Sequence, residues 1–210
     1  MSKAAAGAMI AVDTPQGQAH VHLHPVEAPV AALILGHGAG GGVASRDLIA
    51  ATGAARAADV SVALVEQPYR VAGRRSPAPA PQLDAAWLAV VEHLRGEELR
   101  ELSLVVGGRS LGARVACRTA AATAAAGVLC LAFPLQPPRR HGSAPSRLAE
   151  LDQVAVPTLV VQGASDPFGM PPAAKLRRVV EVRGNHSLRT DLEAVAAAVR
   201  DWLPMVVGSG

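Results

Sequence analysis

The stretch Leu102-Ser103-Leu104-Val105-Val106-Gly107-Gly108-Arg109-Ser110-Leu111-Gly112 decides how the chain is read, because an apolar run ends in a glycine-flanked serine and an alanine-rich segment follows. Residues 102–106 read as a buried strand and residues 111–125 as a helix. A serine between two such elements sits on a tight strand-to-helix turn. Its hydroxyl is carried clear of the sheet, and the next backbone N–H can face a carbonyl oxygen. Gly108 and Gly112 supply the small residues that such a turn needs where strand and helix approach closely. The expected chemistry is acyl transfer to water through Ser110.

Working outward, residues 31–35, 60–65, 128–133, 157–162 and 179–182 read as further strands, and residues 47–58 and 83–94 as helices. Leu83, Trp87, Val90, Val91 and Leu94 recur at helical spacing. The alternation predicts an α/β fold: a mostly parallel central sheet with helices on both faces. Residues 10–12 and 20–24 flank the polar Asp13-Thr14-Pro15-Gln16-Gly17 and read as a hairpin at the sheet edge. Residues 68–81 and 134–146 are proline-rich loops, with a short crossover helix over 146–153 and no room for a large lid domain. A capping box in Thr190-Asp191-Leu192-Glu193 opens the last helix, and Pro204 is expected to stop it. The expected organisation is a flexible N-terminus over 1–9, one domain over 10–203 and a tail over 204–210.

Composition narrows the function classes. The chain has 210 residues, half of them hydrophobic and 18% charged, which suits an ordered domain with one sizeable core. Aromatics make up only 2% and the formal charge is +3, with no long basic tract, so nucleic-acid binding is not expected. Cys117 and Cys130 stand apart from any metal or redox motif among apolar neighbours and read as buried free thiols. The start faintly resembles a secretory signal, but Asp13, Pro15 and Gln16 interrupt it. No apolar stretch is long enough to cross a bilayer. A cytoplasmic protein without membrane partners is expected, and self-association or a protein partner is compatible with the sequence.

A second motif, Gly36-His37-Gly38-Ala39-Gly40-Gly41-Gly42, follows the strand over 31–35. Ligands of open α/β sheets gather at the carboxyl ends of strands, so this turn and the serine elbow can share a crevice. Ala39 and Leu111 are the oxyanion-hole candidates, through their backbone N–H groups. The glycine run lacks the Gly-Lys-Ser/Thr ending of a triphosphate loop and the spacing of a dinucleotide fingerprint, so no cofactor is expected. His37 reads as a brace for the loop. The base for Ser110 is expected to be His186, in Arg183-Gly184-Asn185-His186, with Asp166, in Gly163-Ala164-Ser165-Asp166-Pro167, orienting it. Asp166 has a competing reading as an Asx turn before Pro167, and Asp152, Glu66 and Asp191 are lesser candidates for the acid. His20, His22 and His24 share one strand face, yet same-strand imidazoles spread too far to surround one ion, and no metal is assigned.

Arg70, Arg74, Arg75, Arg109, Arg139 and Arg140 lie in or beside expected strand-end loops. They read either as a positive rim for an anionic ester or as loop braces, with Arg109 paired to an acid. Tyr69 reads as a substrate hydrogen-bond donor or as loop packing. Tyr69, Arg70 and Arg109 are therefore the substrate-binding candidates, and Phe133, Phe168 and Met170 read as acyl-pocket or ordinary wall residues.

Together these marks resemble small, lidless α/β-hydrolases of a family related to dienelactone hydrolases. That group also includes a hydrolase-like domain in a subunit of a chromatin acetyltransferase complex. The likeness covers about residues 10–203 and is carried by Leu35-Gly36-His37-Gly38-Ala39-Gly40, Gln67-Pro68-Tyr69-Arg70-Val71-Ala72-Gly73-Arg74-Arg75, Gly107-Gly108-Arg109-Ser110-Leu111-Gly112-Ala113-Arg114, Gly163-Ala164-Ser165-Asp166-Pro167-Phe168-Gly169 and Gly184-Asn185-His186. It implies an α/β-hydrolase fold with a Ser110/Asp166/His186 triad acting on a small-molecule ester. Dienelactone hydrolases use a cysteine nucleophile, so the serine here sets their lactone chemistry aside. Some relatives use the fold for protein association, which makes a protein-interaction module the competing class.

Overall fold

The computed structural model describes residues 7–136 and 145–208. Strands β1 (Met9–Thr14), β2 (Gly17–His24), β3 (Ala31–Gly36), β4 (Val60–Glu66), β5 (Leu104–Arg109), β6 (Gly127–Leu131), β7 (Thr158–Gly163) and β8 (Arg177–Val182) form one sheet in the order β1-β2-β4-β3-β5-β6-β7-β8. The helices are α1 (Arg46–Arg56), α2 (Pro68–Val71), α3 (Ala80–Gly96), α4 (Leu111–Thr119), α5 (Leu148–Asp152) and α6 (Leu192–Val207). The β1–β2 hairpin pairs antiparallel with β4, and the remaining pairs, from β4 through β3 to β8, are parallel.

Continuous apolar runs dictate this arrangement, since such strands must be covered on both faces. Along β5 the side chains alternate: Leu104 and Val106 enter one core with Trp87, Leu94 and Val115, while Val105 enters the other with Leu48, Leu129 and Trp202. Helices α3 and α4 supply the first core, and α1 and α6, packed on each other, the second. The two thiols meet inside the first core, with Cys117 Sγ 3.5 Å from Cys130 Sγ, and both remain free. No helix among the described residues is long and apolar enough to cross a membrane.

The strand order reverses at β3, whose neighbours are β4 on one side and β5 on the other. This switch point opens a crevice at the strand ends. Gly36 pairs with Gly108 across it, so the glycine loop leaves β3 beside the serine elbow leaving β5. A Cβ on Gly112 would collide with the carbonyl oxygen of Gly36.

The expected loop over 68–81 contains α2 and the start of α3, Pro68 and the residues after Pro79 opening helical turns, and other helix ends also differ from the sequence reading. The alanine run does not stay helical to residue 125: α4 ends at Thr119, Thr119 and Thr123 hydroxyls donate back to Val115 and Ala120 carbonyls, and Ala124 turns at φ 45°. The Ala126 N–H is thereby delivered to Leu104 O, starting β6 beside β5. Helix α6 runs through Pro204 to Val207, because a proline in the last turn forfeits a single backbone hydrogen bond. Its cap is Asp191, whose carboxylate accepts from Ala194 N, in place of a Thr190/Glu193 box. Arg183 and the Ala194 N–H hold the Asp191 carboxyl below its usual range.

Gly112→Ala is expected to lose about 1–3 kcal/mol of stability through overpacking. Gly53→Ala, at an open position of α1, is expected to gain about 0.5–1 kcal/mol. Urea unfolding of both variants checks the pair, and equal effects would contradict the close helix–strand contact.

Candidate active site

Ser110 stands between β5 and α4 at φ 52° and ψ −102°, a backbone conformation that L residues avoid and that a rigid surround must hold. Its N–H donates to Leu131 O at 2.9 Å, anchoring the turn to β6. The hydroxyl lies 2.9 Å from His186 Nε2, and His186 Nδ1 lies 2.8 Å from Asp166 Oδ2. Asp166 leaves the end of β7 and His186 the end of β8, so residues distant in sequence meet in one hydrogen-bonded row. The Asx-turn reading of Asp166 also holds, on the other oxygen: Oδ1 accepts from Phe168 N at 2.9 Å.

The competing acids are engaged elsewhere. Asp152 pairs with Arg177, Glu66 lies 3.9 Å from His22, and Asp191 caps α6. His20, His22 and His24 all lie on β2, whose alternate residues Ala19 and Val21 enter the core.

Peptide geometry bears on the two oxyanion candidates, Ala39 and Leu111. Gly38 O accepts from His37 Nδ1 at 2.8 Å and from Gly41 N at 3.1 Å. In a trans peptide the N–H points opposite the carbonyl, so Ala39 N–H faces away from the His37 ring. Ser110 O accepts from Arg114 N within α4, which turns Leu111 N–H out of the helix N-terminus. Gly38 packs on Ser110: a Cβ there would lie 3.6 Å from the Ser110 Cβ and 2.5 Å from Arg109 Nη1.

His37 is buried, and its two nitrogens have opposite duties. Nδ1 donates to Gly38 O, and Nε2 accepts from Gln67 N at 3.2 Å. This fixes the neutral tautomer, and burial pushes the imidazole below its ordinary value. Tyr69 completes the brace, donating to Ala39 O at 3.1 Å; burial pushes its hydroxyl up to about 12. Its hydroxyl is thus engaged by the protein's own glycine loop.

The arginine set divides. Arg109 is a brace: its Nε lies 3.0 Å from the buried Asp47 Oδ2, and Nη2 donates to His186 O at 3.0 Å. The guanidinium joins the α1 start to the histidine loop, which is the brace reading of Arg109. Arg70 is half-buried beside His37 and Tyr69, and Arg74 and Arg75 are exposed, Arg74 lining a cleft of about 90 Å³ with Gln67, Tyr69 and Gln82. Arg139, Arg140 and His141 lie outside the described residues. Phe133 is buried in the core, Met170 is exposed, and Phe168 lies on the His186 ring with centroids 4.4 Å apart.

Two polar residues beside the triad were not singled out from sequence: Asp47, and Gln162, whose Nε2 donates toward Asp166 Oδ2 at 2.9 Å. Gln162 had a readable signal, an amide closing a strand run that is otherwise almost wholly apolar, where a buried polar group needs partners.

The family model described as alpha/beta hydrolase domain matches residues 29–194. The chain is an α/β-hydrolase. Among solved structures, it resembles a lidless α/β serine hydrolase from Xanthomonas campestris at 22% identity and TM-score 0.75, covering 95% of this chain and 96% of that one. Est1E from Butyrivibrio proteoclasticus, also solved with ferulic acid bound, matches at 15% identity and TM-score 0.78, over 97% of this α/β-hydrolase and all (100%) of that chain. A dienelactone hydrolase from Anabaena variabilis matches at 16% identity and TM-score 0.77, over 96% and 98% of the two chains. No curated protein sequence matches. The α/β-hydrolase fold without a large lid insertion among the described residues is thus the architecture of this chain. The kinship with a chromatin acetyltransferase subunit gains no support from these matches.

Two expectations follow. Arg109→Met strands Asp47 as an unpaired buried carboxylate and is expected to cost about 3–5 kcal/mol, while Asp47→Asn with Arg109→Met recovers part of that loss. Urea unfolding of the single and double variants checks this; additive losses would rule out the pair. For His37, an imidazole lowered in the fold leaves the unfolded chain binding more protons, so stability is full above the ordinary value and declines as pH falls through and below about 6.5. Thermal melts at a series of pH values should show a shallower acid decline in His37→Gln than in the unaltered protein.

Proposed function

We propose that the chain is a serine hydrolase that cleaves carboxylic esters through an acyl-enzyme intermediate. The observation that carries this reading is the unbroken hydrogen-bonded row from Ser110 through His186 to Asp166. Ser110 Oγ attacks the ester carbonyl carbon and gives its proton to His186 Nε2. Negative charge on the carbonyl oxygen is met by Ala39 and Leu111 N–H. The bond to the alcohol breaks as His186 returns the proton to it, leaving Ser110 acylated. Water then attacks the acyl carbon, giving a proton to His186, and the acid leaves as that proton returns to Ser110. Asp166 holds the Nδ1 proton throughout and stabilises the imidazolium. The scheme draws every proton from the triad and water, without a cofactor.

Support for an ester comes from fold relatives that are themselves esterases. Preference for an anionic one rests on Arg70, Arg74 and Arg75, because Arg109 is neutralised by Asp47. A cytoplasmic location and a single catalytic domain complete the reading.

A fluorophosphonate probe is expected to label the protein on Ser110, with labelling abolished in Ser110→Ala and ester turnover reduced about a thousandfold or more. Correctly folded protein that resists the probe would favour the protein-interaction module. Within the same assays, matched neutral and anionic esters at low and high salt read the arginine contribution, and equal preference throughout would remove it.

A further inference from the structure

Gln162 is fully buried near the end of β7. Its Nε2 lies 2.9 Å from Asp166 Oδ2, 2.8 Å from Gly169 O and 3.0 Å from Phe133 O. All three neighbours are acceptors, so the NH₂ end of the amide must face them; the reversed amide would set Oε1 against a carboxylate and two carbonyls. Oε1 itself is buried without a hydrogen-bond partner among the described residues. An orphaned buried oxygen is costly, and its presence shows that the donating end governs how this side chain is set.

The donor's direction bears on His186. Asp166 Oδ2 receives both Gln162 Nε2 and His186 Nδ1, and Oδ1 receives Phe168 N. Oδ2 thus accepts two N–H groups and Oδ1 one, so the oxygen that faces His186 is held as an acceptor. The imidazole proton then sits on Nδ1, and the Nε2 lone pair is free to accept from the Ser110 hydroxyl. The two N–H bonds of the amide are shared among three acceptors, Asp166 Oδ2, Gly169 O and Phe133 O, which gathers the Asp166 turn and the chain leaving β6 at the end of β7.

We propose that Gln162 is a positioning residue of the triad, which holds the Asp166 carboxyl fixed with Oδ2 as an acceptor and thereby sets the tautomer of His186. The proposal rests on the triad reading of Ser110, Asp166 and His186. Gln162 touches no reacting atom; it acts through Asp166.

Gln162→Met keeps the length of the side chain and removes its donors. Ester kcat is expected to fall about tenfold or more, as for loss of a hydrogen bond to a charged partner, with KM within about twofold. The low-field proton resonance of His186 Nδ1–H should shift or broaden. In an Asp166→Asn background, Gln162→Met should add no further loss. Unchanged kcat with an unchanged resonance would overturn the proposal, as would an equally large loss in the Asp166→Asn background. For a variant that folds poorly, the ¹⁵N-labelled unaltered protein supplies the test: the Gln162 side-chain amide signals should move when Asp166→Asn is introduced, and unmoved signals would overturn the assignment. Undiminished turnover in Ser110→Ala would instead sink the triad itself, whereas normal turnover in Gln162→Met of a Ser110-dependent enzyme sinks only the role of Gln162.

Discussion

The first turn of α4 rests directly on the end of β3, with the Gly36 carbonyl against Gly112, and the arrangement of the site follows from that contact. A side chain at 112 would push the helix off the strand, and Ser110, two residues earlier, would move with it. The glycine loop departs from the same spot on β3, so one backbone approach sets the spacing between the serine and the loop that carries Ala39. The strained backbone at Ser110 is sustained because both flanks are fixed, Ser110 N to β6 and the helix to β3.

Around this contact, two polar braces hold loops that the hydrophobic core does not reach. Asp47 and Arg109 join the start of α1 to the histidine loop, and His37 and Tyr69 fasten the glycine loop from its other side. Each brace uses side chains with fixed donor and acceptor duties, so the loops are set by hydrogen-bond direction as well as by packing. Preorganised dipoles of this kind spare the chemistry any rearrangement at the moment charge develops.

Ser110, Asp166 and His186 were legible in the sequence because each follows an apolar run long enough to mark a strand, and strand ends in a parallel sheet converge on one edge. The role of Arg109 was open between substrate and brace, since its partner Asp47 belongs to a helix whose placement over β5 no local pattern encodes. Gln162 carries a cue, its polarity inside a buried strand, but nothing local in the sequence names Asp166 as its partner. Helix ends were the weakest part of the reading. Alanine periodicity carries no stop signal, and α4 is ended by hydroxyls of Thr119 and Thr123 bonding back to the chain. At Pro204 the stop rule overreached, because α6 continues through the proline to Val207 at the cost of one backbone hydrogen bond.

With Arg109 and Tyr69 both engaged by the protein itself, the machinery leaves few side chains to spare for choosing among substrates. The segment after α2 is tied to the glycine loop's brace by its backbone, Arg74 N donating to Tyr69 O, while the Arg74 and Arg75 side chains stay exposed. That exposed segment is the part of the described surface where sequence can change with least disturbance to the braces around Ser110.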